Sequence, residues 1–267
     1  MNFWTQSKDN IYVAAHRGFR TRYPENTMPA FKAAMELGVD QVETDIRITK
    51  DGELVLIHDA KVDRTTDGEG LVIDYTYDEL QKLDAGSWKG EEFVGYRIPT
   101  LREFMELASQ YPAMTVDLEL KEYPTPGHEE IAYSVCDRVL AMVEEFGFAD
   151  RIVINTFHPT LHEYIQKKYG NRYRQHVYFP LEHHTKQAEL TMDPYSYGYC
   201  CCMFGKPIMA SAEDYAAMKA KGVQPWAGAS VKDAEGVDEA IRCGAELITC
   251  DNPDVILQLL RQRGKHK

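Results

Sequence analysis

Short apolar, β-rich runs alternate with amphipathic helical patterns along almost the whole chain. This alternation constrains the fold more than any other feature of the sequence. The strand candidates are residues 11–15, 41–46, 53–57, 114–120, 151–157, 174–179, 200–204, 223–227 and 246–250. Helical patterns fill 27–38, 100–111, 128–147, 159–170, 211–222, 237–244 and 253–262. Several of them stop at glycine, the usual helix terminator. PENT (24–27) and DNPD (251–254) read as helix starts, with Asn26 or Thr27 and Asp251 or Asn252 as caps. Repeated strand–helix units predict a parallel sheet, and about eight of them in 267 residues predict an α/β fold, a (β/α)8 TIM-type barrel. Nine candidates compete for eight places, so one is expected to be accessory, with 174–179 and 200–204 the weakest. An open, doubly wound sheet is the alternative.

Two segments distort the repeat. Thr49-Lys50-Asp51-Gly52 is a tight turn with no room for a helix. The chain must return along 53–57, which brings His58 back towards residues 43–45. Residues 60–99, rich in Gly, Asp, Thr and Tyr, read as a lobe inserted after the third strand of a single domain spanning 1–267. About 40 residues bury too little surface for a domain of their own. Trp88, Phe93 and Tyr96 are expected in the core of this lobe; exposed together, they would form an apolar rim suited to lipid.

Hydrophobic residues make up 44% of the chain and charged residues 27%, enough for an ample core and a solvated surface. The net charge of −12 argues against a general nucleic-acid surface and against adsorption to anionic lipid. A local cationic site is still compatible with an anionic small-molecule substrate. No apolar run approaches the ~20 residues of a membrane span. The N-terminal residues carry no signal-peptide pattern, so a soluble, cytoplasmic protein is expected. Cys136, Cys200, Cys201, Cys202, Cys243 and Cys250 lack the paired spacing of a zinc site; the three adjacent ones read as a buried, reduced strand. Oligomeric state has no sequence signal.

The chemistry is concentrated in VETDIRITKDGELVLIHDA, residues 42–60. Strand side chains alternate faces, so Glu43 and Asp45 point the same way. Two like charges side by side repel, and a divalent cation between them is the economical remedy. His16-Arg17-Gly18, His58-Asp59, Glu119, Lys121, Phe157, Trp226 and Asp251 also stand at or near strand ends. In a parallel barrel those ends share one mouth, where barrel enzymes carry their active sites.

HRGFRTRYPENTMPAF, GVDQVETDIRITKDGELVLIHDAKVDRTTDGEG, LELK and LITCDNPD, in that order, resemble the glycerophosphodiester phosphodiesterase family. The resemblance implies a distorted barrel with an insert after the third strand and a bound divalent metal. It also implies hydrolysis of glycerophosphodiesters to glycerol 3-phosphate and an alcohol. Glu43, Asp45 and Glu119 then form an all-oxygen metal site suited to Mg2+ or Ca2+. His16 and His58 are the acid/base pair, Arg17 and Lys121 hold the phosphate, and Phe157 and Trp226 wall the glycerol end. Two courses satisfy this chemistry: attack by the glycerol's own hydroxyl through a cyclic phosphate, and direct attack by water. Relatives acting on lysophospholipids or sugar phosphodiesters, and a catalytically silent phosphodiester-binding barrel, are the alternatives.

Asp59 and Asp117 are expected to support rather than ligate, and Arg17 has an alternative as a salt-bridge partner of Glu25 or Asp59. His158, His162, His176, His183 and His184 show no ligand spacing and are expected at the surface. Ala227-Gly228-Ala229 stands where many relatives carry Thr-Val-Asn, and Asn155-Thr156-Phe157 replaces a more serine-rich form. Both departures fall on the substrate side of the site.

Overall fold

The computed structural model describes residues 9–183, 190–204 and 210–267. It contains β1 (Tyr12–Ala15), β2 (Gln41–Ile48), β3 (Leu54–Leu56), β4 (Thr115–Leu120), β5 (Ile152–Asn155), β6 (Arg174–Phe179), β7 (Cys200–Met203), β8 (Gln224–Ala227) and β9 (Leu247–Cys250). Eight are parallel neighbours in the order β1-β9-β8-β7-β6-β5-β4-β2, and pairing of β2 with β1 closes the ring. The fold is a (β/α)8 barrel. The accessory strand is β3, which lies antiparallel on the end of β2 with Ile46 opposite Leu56. The four-residue turn allows nothing else, because a parallel return needs a crossover of a dozen residues or more. The weak candidates at 174–179 and 200–204 are full barrel strands. In β7 every residue is buried, so the alternation that marks a half-exposed strand is absent.

The barrel is wrapped by α1 (Met28–Leu37), α3 (Leu101–Ser109), α4 (Glu129–Glu145), α5 (Pro159–Tyr169), α6 (Ala212–Ala220), α7 (Ala234–Cys243) and α8 (Pro253–Gln262); α2 (Tyr77–Leu80) lies in the segment after β3. Between β6 and β7 the described residues form two 3-10 turns, Leu181–His183 and Pro194–Ser196, and no α-helix. α3 starts on a capping box of Thr100 and Glu103, and α6 on one of Ser211 and Asp214. The caps expected in PENT and DNPD are diverted. Thr27 and Asn252 occupy cap positions without a side-chain cap bond. Asn26 and Asp251 instead turn towards the barrel mouth.

The outward strand faces and the inner helix faces share one core, where Phe31 of α1 meets Phe104 of α3 edge-on at 4.7 Å. Full burial of each ring contributes about 1.5–3 kcal/mol. A smaller cluster of Tyr12, Ala14, Val153, Cys200, Trp226 and Leu247 fills the barrel interior. The cysteine run follows the strand period: Cys200 faces this interior cluster and Cys201 the outer core. All six cysteines are free and buried.

The segment after β3 has a core of its own, built from Val62, Val72, Leu80, Ala85 and Ile98 on Val55 and Ile57. Trp88, Phe93 and Tyr96 lie outside that core, contrary to expectation. Phe93 and Tyr96 pack edge-on while Trp88 is 39% exposed.

Asp40, just before β2, fastens the lower end of the barrel. Its Oδ2 accepts from the Val13 backbone at 2.8 Å and pairs with His266 Nε2 at 2.8 Å. Burial opposes protonation of His266, but the hydrogen bond and charge of Asp40 outweigh it and raise the pKa. A raised folded-state value means the pair stabilises fully below the unfolded value, about 6.5, and its contribution is lost as pH rises through the folded value. His266→Ala is therefore expected to lower Tm by about 2–4 °C (roughly 1 kcal/mol) near pH 6 and progressively less towards pH 9. Thermal melts of both proteins across that range check this; a gap that does not narrow would rule it out.

Candidate active site

The upper ends of the barrel strands surround a cavity of about 220 Å³. His16, Arg17, Glu43, His58, Glu119 and Lys121 line one arc of it, and Asn155, Phe157, His176, Tyr178 and Phe204 line the other.

Strand register assembles the carboxylates. Asp45 on β2 is the Cα partner of Glu119 on β4, and Glu43 is the partner of Asp117. All four side chains point inward, since they occupy alternate positions on neighbouring strands. Ligand oxygens of Glu43, Asp45 and Glu119 lie within 4.8 Å of one another, and all three residues are buried. Burial, reinforced by Asp45 and Glu119, drives the Glu43 carboxyl well above the usual range. Burial also pushes Glu119 up to about 7, although Lys121 opposes the shift. Asp45 moves the other way: Lys121 and Arg17 more than offset its burial and hold it low. Glu43 Oε1 is buried without a hydrogen-bond donor. Hard, mutually repelling oxygens with unsatisfied lone pairs fit a hard divalent cation. A fourth carboxylate, Asp117, does not join them; its Oδ2 pairs with His176 Nδ1 at 2.7 Å.

The existing counter-charges are Arg17 and Lys121. Lys121 Nζ contacts Glu119, lies 3.1 Å from Asp45 Oδ1 and sits 5.6 Å from the Phe157 ring centre. Arg17 lies 3.2 Å from Asp45 and 2.9 Å from Glu25, while its backbone N–H donates to Glu43 Oε2 at 2.8 Å. That backbone donor is aimed by a tight turn in which Arg17 and Gly18 both have positive φ, 58° and 76°. Glu25 of PENT also binds Arg20 and Arg64, at 2.7 and 2.8 Å. Burial would raise its pKa, but Arg64, Arg17 and Arg20 together hold it at about 2. Asn26 donates to Asp45 Oδ2 at 2.8 Å and accepts from Thr44 Oγ1.

Each expected acid/base histidine is clamped through Nδ1, His16 by Asp251 at 2.7 Å and His58 by Asp59 at 2.6 Å. Asp59 in turn is held by Arg64. Because the carboxylates accept at Nδ1, both Nε2 atoms are left for chemistry; that of His16 is 4.0 Å from Glu43 Oε2. Burial lowers both histidine pKa values, and Arg17 repels protonation in each case. Arg47 ties the two arms together by donating to the His58 carbonyl at 3.0 Å and to the Lys121 carbonyl at 3.2 Å.

Two expectations need correction. Trp226 does not line the cavity: it is fully buried in the interior cluster, one inward position below Gly228, which does line it. His158, His162 and His176 are buried rather than on the surface, at 6%, 0% and 3% exposure. His184 and the side chain of His183 lie outside the described residues. In RQHVYF the period-2 pattern puts His176 and Tyr178 on one face and Val177 on the other, and that signal was sufficient to place them inward.

Fold and site together define a TIM-barrel protein whose mouth carries a carboxylate cluster flanked by histidine–carboxylate pairs. The sequence profile of the Glycerophosphoryl diester phosphodiesterase family matches residues 16–254. The chain belongs to that family. A glycerophosphodiester phosphodiesterase of Caldanaerobacter subterraneus is 36% identical over 262 residues, covering 94% of this chain and 98% of the relative. One of Bacillus altitudinis is 40% identical, covering 68% and 66%. The structure of an Oleispira antarctica phosphodiesterase in complex with the product sn-glycerol-3-phosphate has a TM-score of 0.78 at 26% identity, covering 94% of this chain and 96% of that one.

The turn that aims Arg17 leaves no space for a side chain at Gly18. A Cβ there would lie 2.7 Å from the Ala30 carbonyl carbon and 2.9 Å from the Phe31 nitrogen, at a φ that disfavours alanine. Gly18→Ala is expected to cost at least about 1–3 kcal/mol. That would lower Tm by several degrees in thermal melts; an unchanged Tm would mean the turn yields freely.

Proposed function

We propose that this chain hydrolyses glycerophosphodiesters to glycerol 3-phosphate and an alcohol, using a divalent cation and the histidine pair. The observation that carries this reading is the cavity's charged arc, where three mutually repelling buried carboxylates, with Glu43 Oε1 unpaired, adjoin two histidines that each keep Nε2 available. The product complex of the Oleispira relative supports the choice of substrate.

Glu43, Asp45 and Glu119 would hold Mg2+ or Ca2+, which supplies Lewis-acid polarisation of a phosphoryl oxygen. Arg17 and Lys121 give the phosphate fixed positive partners, so an acidic protein accepts an anion locally. One neutral histidine takes the proton of the attacking hydroxyl at Nε2. The other, protonated, delivers one to the departing alkoxide. Asp251 and Asp59 keep both rings oriented and stabilise the imidazolium that forms. Phe157 shields Lys121 and closes the cavity towards the substrate. Among the described residues no helix is long and apolar enough to cross a membrane. The six free, buried thiols suit a reducing cytoplasm.

Hydrolysis of glycerophosphocholine, followed by release of glycerol 3-phosphate, tests the reading. Activity is expected with Mg2+ or Ca2+ and is expected to vanish in EDTA and return on re-addition of the ion. No turnover with any common divalent ion would overturn the proposal.

His16→Ala is expected to lower kcat by about 10²–10⁴. Glu43→Gln is expected to abolish cation-dependent turnover without lowering the Tm of the ion-free protein, because it removes a charge that Asp45 and Glu119 repel. Retained activity in either variant would refute the role given to that residue.

A further inference from the structure

A third histidine–carboxylate pair, which this chemistry leaves unused, joins the aromatic arc of the cavity to β4. His176 is 3% exposed, and its Nδ1 is bound to the buried Asp117 at 2.7 Å. Its ring is stacked along Tyr178 at 5.6 Å and rests against Trp226 at 4.8 Å, so it cannot turn. Nε2 is buried with no partner, although the residue lines the cavity. A carboxylate only accepts, so Nδ1 carries the hydrogen, and in the tautomer this fixes, Nε2 is the atom that presents a lone pair. Such a buried acceptor is costly to leave unmet and calls for a donor from the ligand.

Position identifies the donor. Register places His176 level with Asn155, and Asn155 level with Glu119. His176 therefore stands two strands, roughly 10 Å of backbone, from the carboxylate cluster, a gap that the inward side chains shorten. With the phosphate at the charged arc, the group that reaches His176 must be joined to it by a few bonds. In a glycerol 3-phosphodiester the C2 hydroxyl adjoins the ester, and the C1 hydroxyl is the remote one.

We propose that His176, held by Asp117, accepts a hydrogen bond from the C1 hydroxyl of the glycerol and so selects substrates in which that hydroxyl is free. An acyl ester at C1 has no O–H to give, and it would bring a chain into a cavity of about 220 Å³ walled by Phe157, Tyr178 and Phe204. The proposal rests on the phosphodiesterase reading above and adds to it the residue that turns away lysophospholipids.

The test compares kcat/KM for glycerophosphocholine with that for the analogue in which hydrogen replaces the C1 hydroxyl. The wild type is expected to prefer the hydroxylated substrate by about ten- to a hundredfold. His176→Phe is expected to bring the ratio close to one through a higher KM for glycerophosphocholine, while turnover of the analogue persists. His176→Gln, whose carbonyl oxygen can face the cavity, is expected to keep part of the preference. It also serves if the Phe variant does not fold, as judged by thermal melts. A wild-type ratio near one overturns the proposal without any variant. So does a ratio unchanged in a folded His176 variant, and either result leaves the phosphodiesterase reading standing. A wild type inactive on both substrates overturns the two together.

Discussion

Repulsion among three buried carboxylates organises the upper half of this barrel. Two unit charges 4–5 Å apart interact by about 3–4 kcal/mol at an effective dielectric constant near 20, so Glu43, Asp45 and Glu119 need positive charge close by. Lys121 and Arg17 supply part of it. Arg17 in turn needs Glu25, which gathers Arg20 and Arg64, and Arg64 anchors the Asp59 that clamps His58. Charges of alternating sign thus run outward from the cluster to both histidines. A site of this kind is preorganised because moving one member exposes the unbalanced charge of the next.

The cavity is asymmetric for a reason rooted in the ring order. Strands β1, β2 and β4, with the segment after β3, bring charge; β5, β6 and β7 bring aromatic rings and neutral hydrogen-bonding groups. The proposed function assigns the phosphoryl chemistry to the first set, where field strength is high. The second set offers stacked rings, Phe157 on Tyr178 at 3.9 Å and Tyr178 beside Phe204, and the proposed function assigns the carbon part of a substrate to it. The short Ala227-Gly228-Ala229 segment keeps this side open at the top of β8.

Much of this was legible in the chain. Glu43 and Asp45 share a face because they are two apart in a strand, and the tight turn at 49–52 forces the return that delivers His58. The pairs His16–Asp251 and His176–Asp117 were not legible: their members are 235 and 59 residues apart, and only ring closure and register make them neighbours. Asn26 and Asp251 looked like helix caps because Asn and Asp before a helical pattern ordinarily are. Their side chains go to the site instead, since a buried Asp45 and a clamped histidine are stronger claims on a hydrogen bond than a solvated helix end. Trp226 looked like a wall residue because it stands near a strand end. It lies one inward step too deep, a difference set by strand tilt and stagger rather than by residue type.

The sequence by itself determined the number and kind of elements, the turn that makes β3 antiparallel, and the acidic and histidine residues available for chemistry. These are local matters, decided by side-chain period, glycine and proline placement, and residue type. Tertiary structure alone decided which carboxylates met and which paired with a histidine instead, and which of the many histidines faced the cavity. Those outcomes depend on register between strands far apart in the chain, and a one-residue slip in any of them would turn the same side chains away from the mouth.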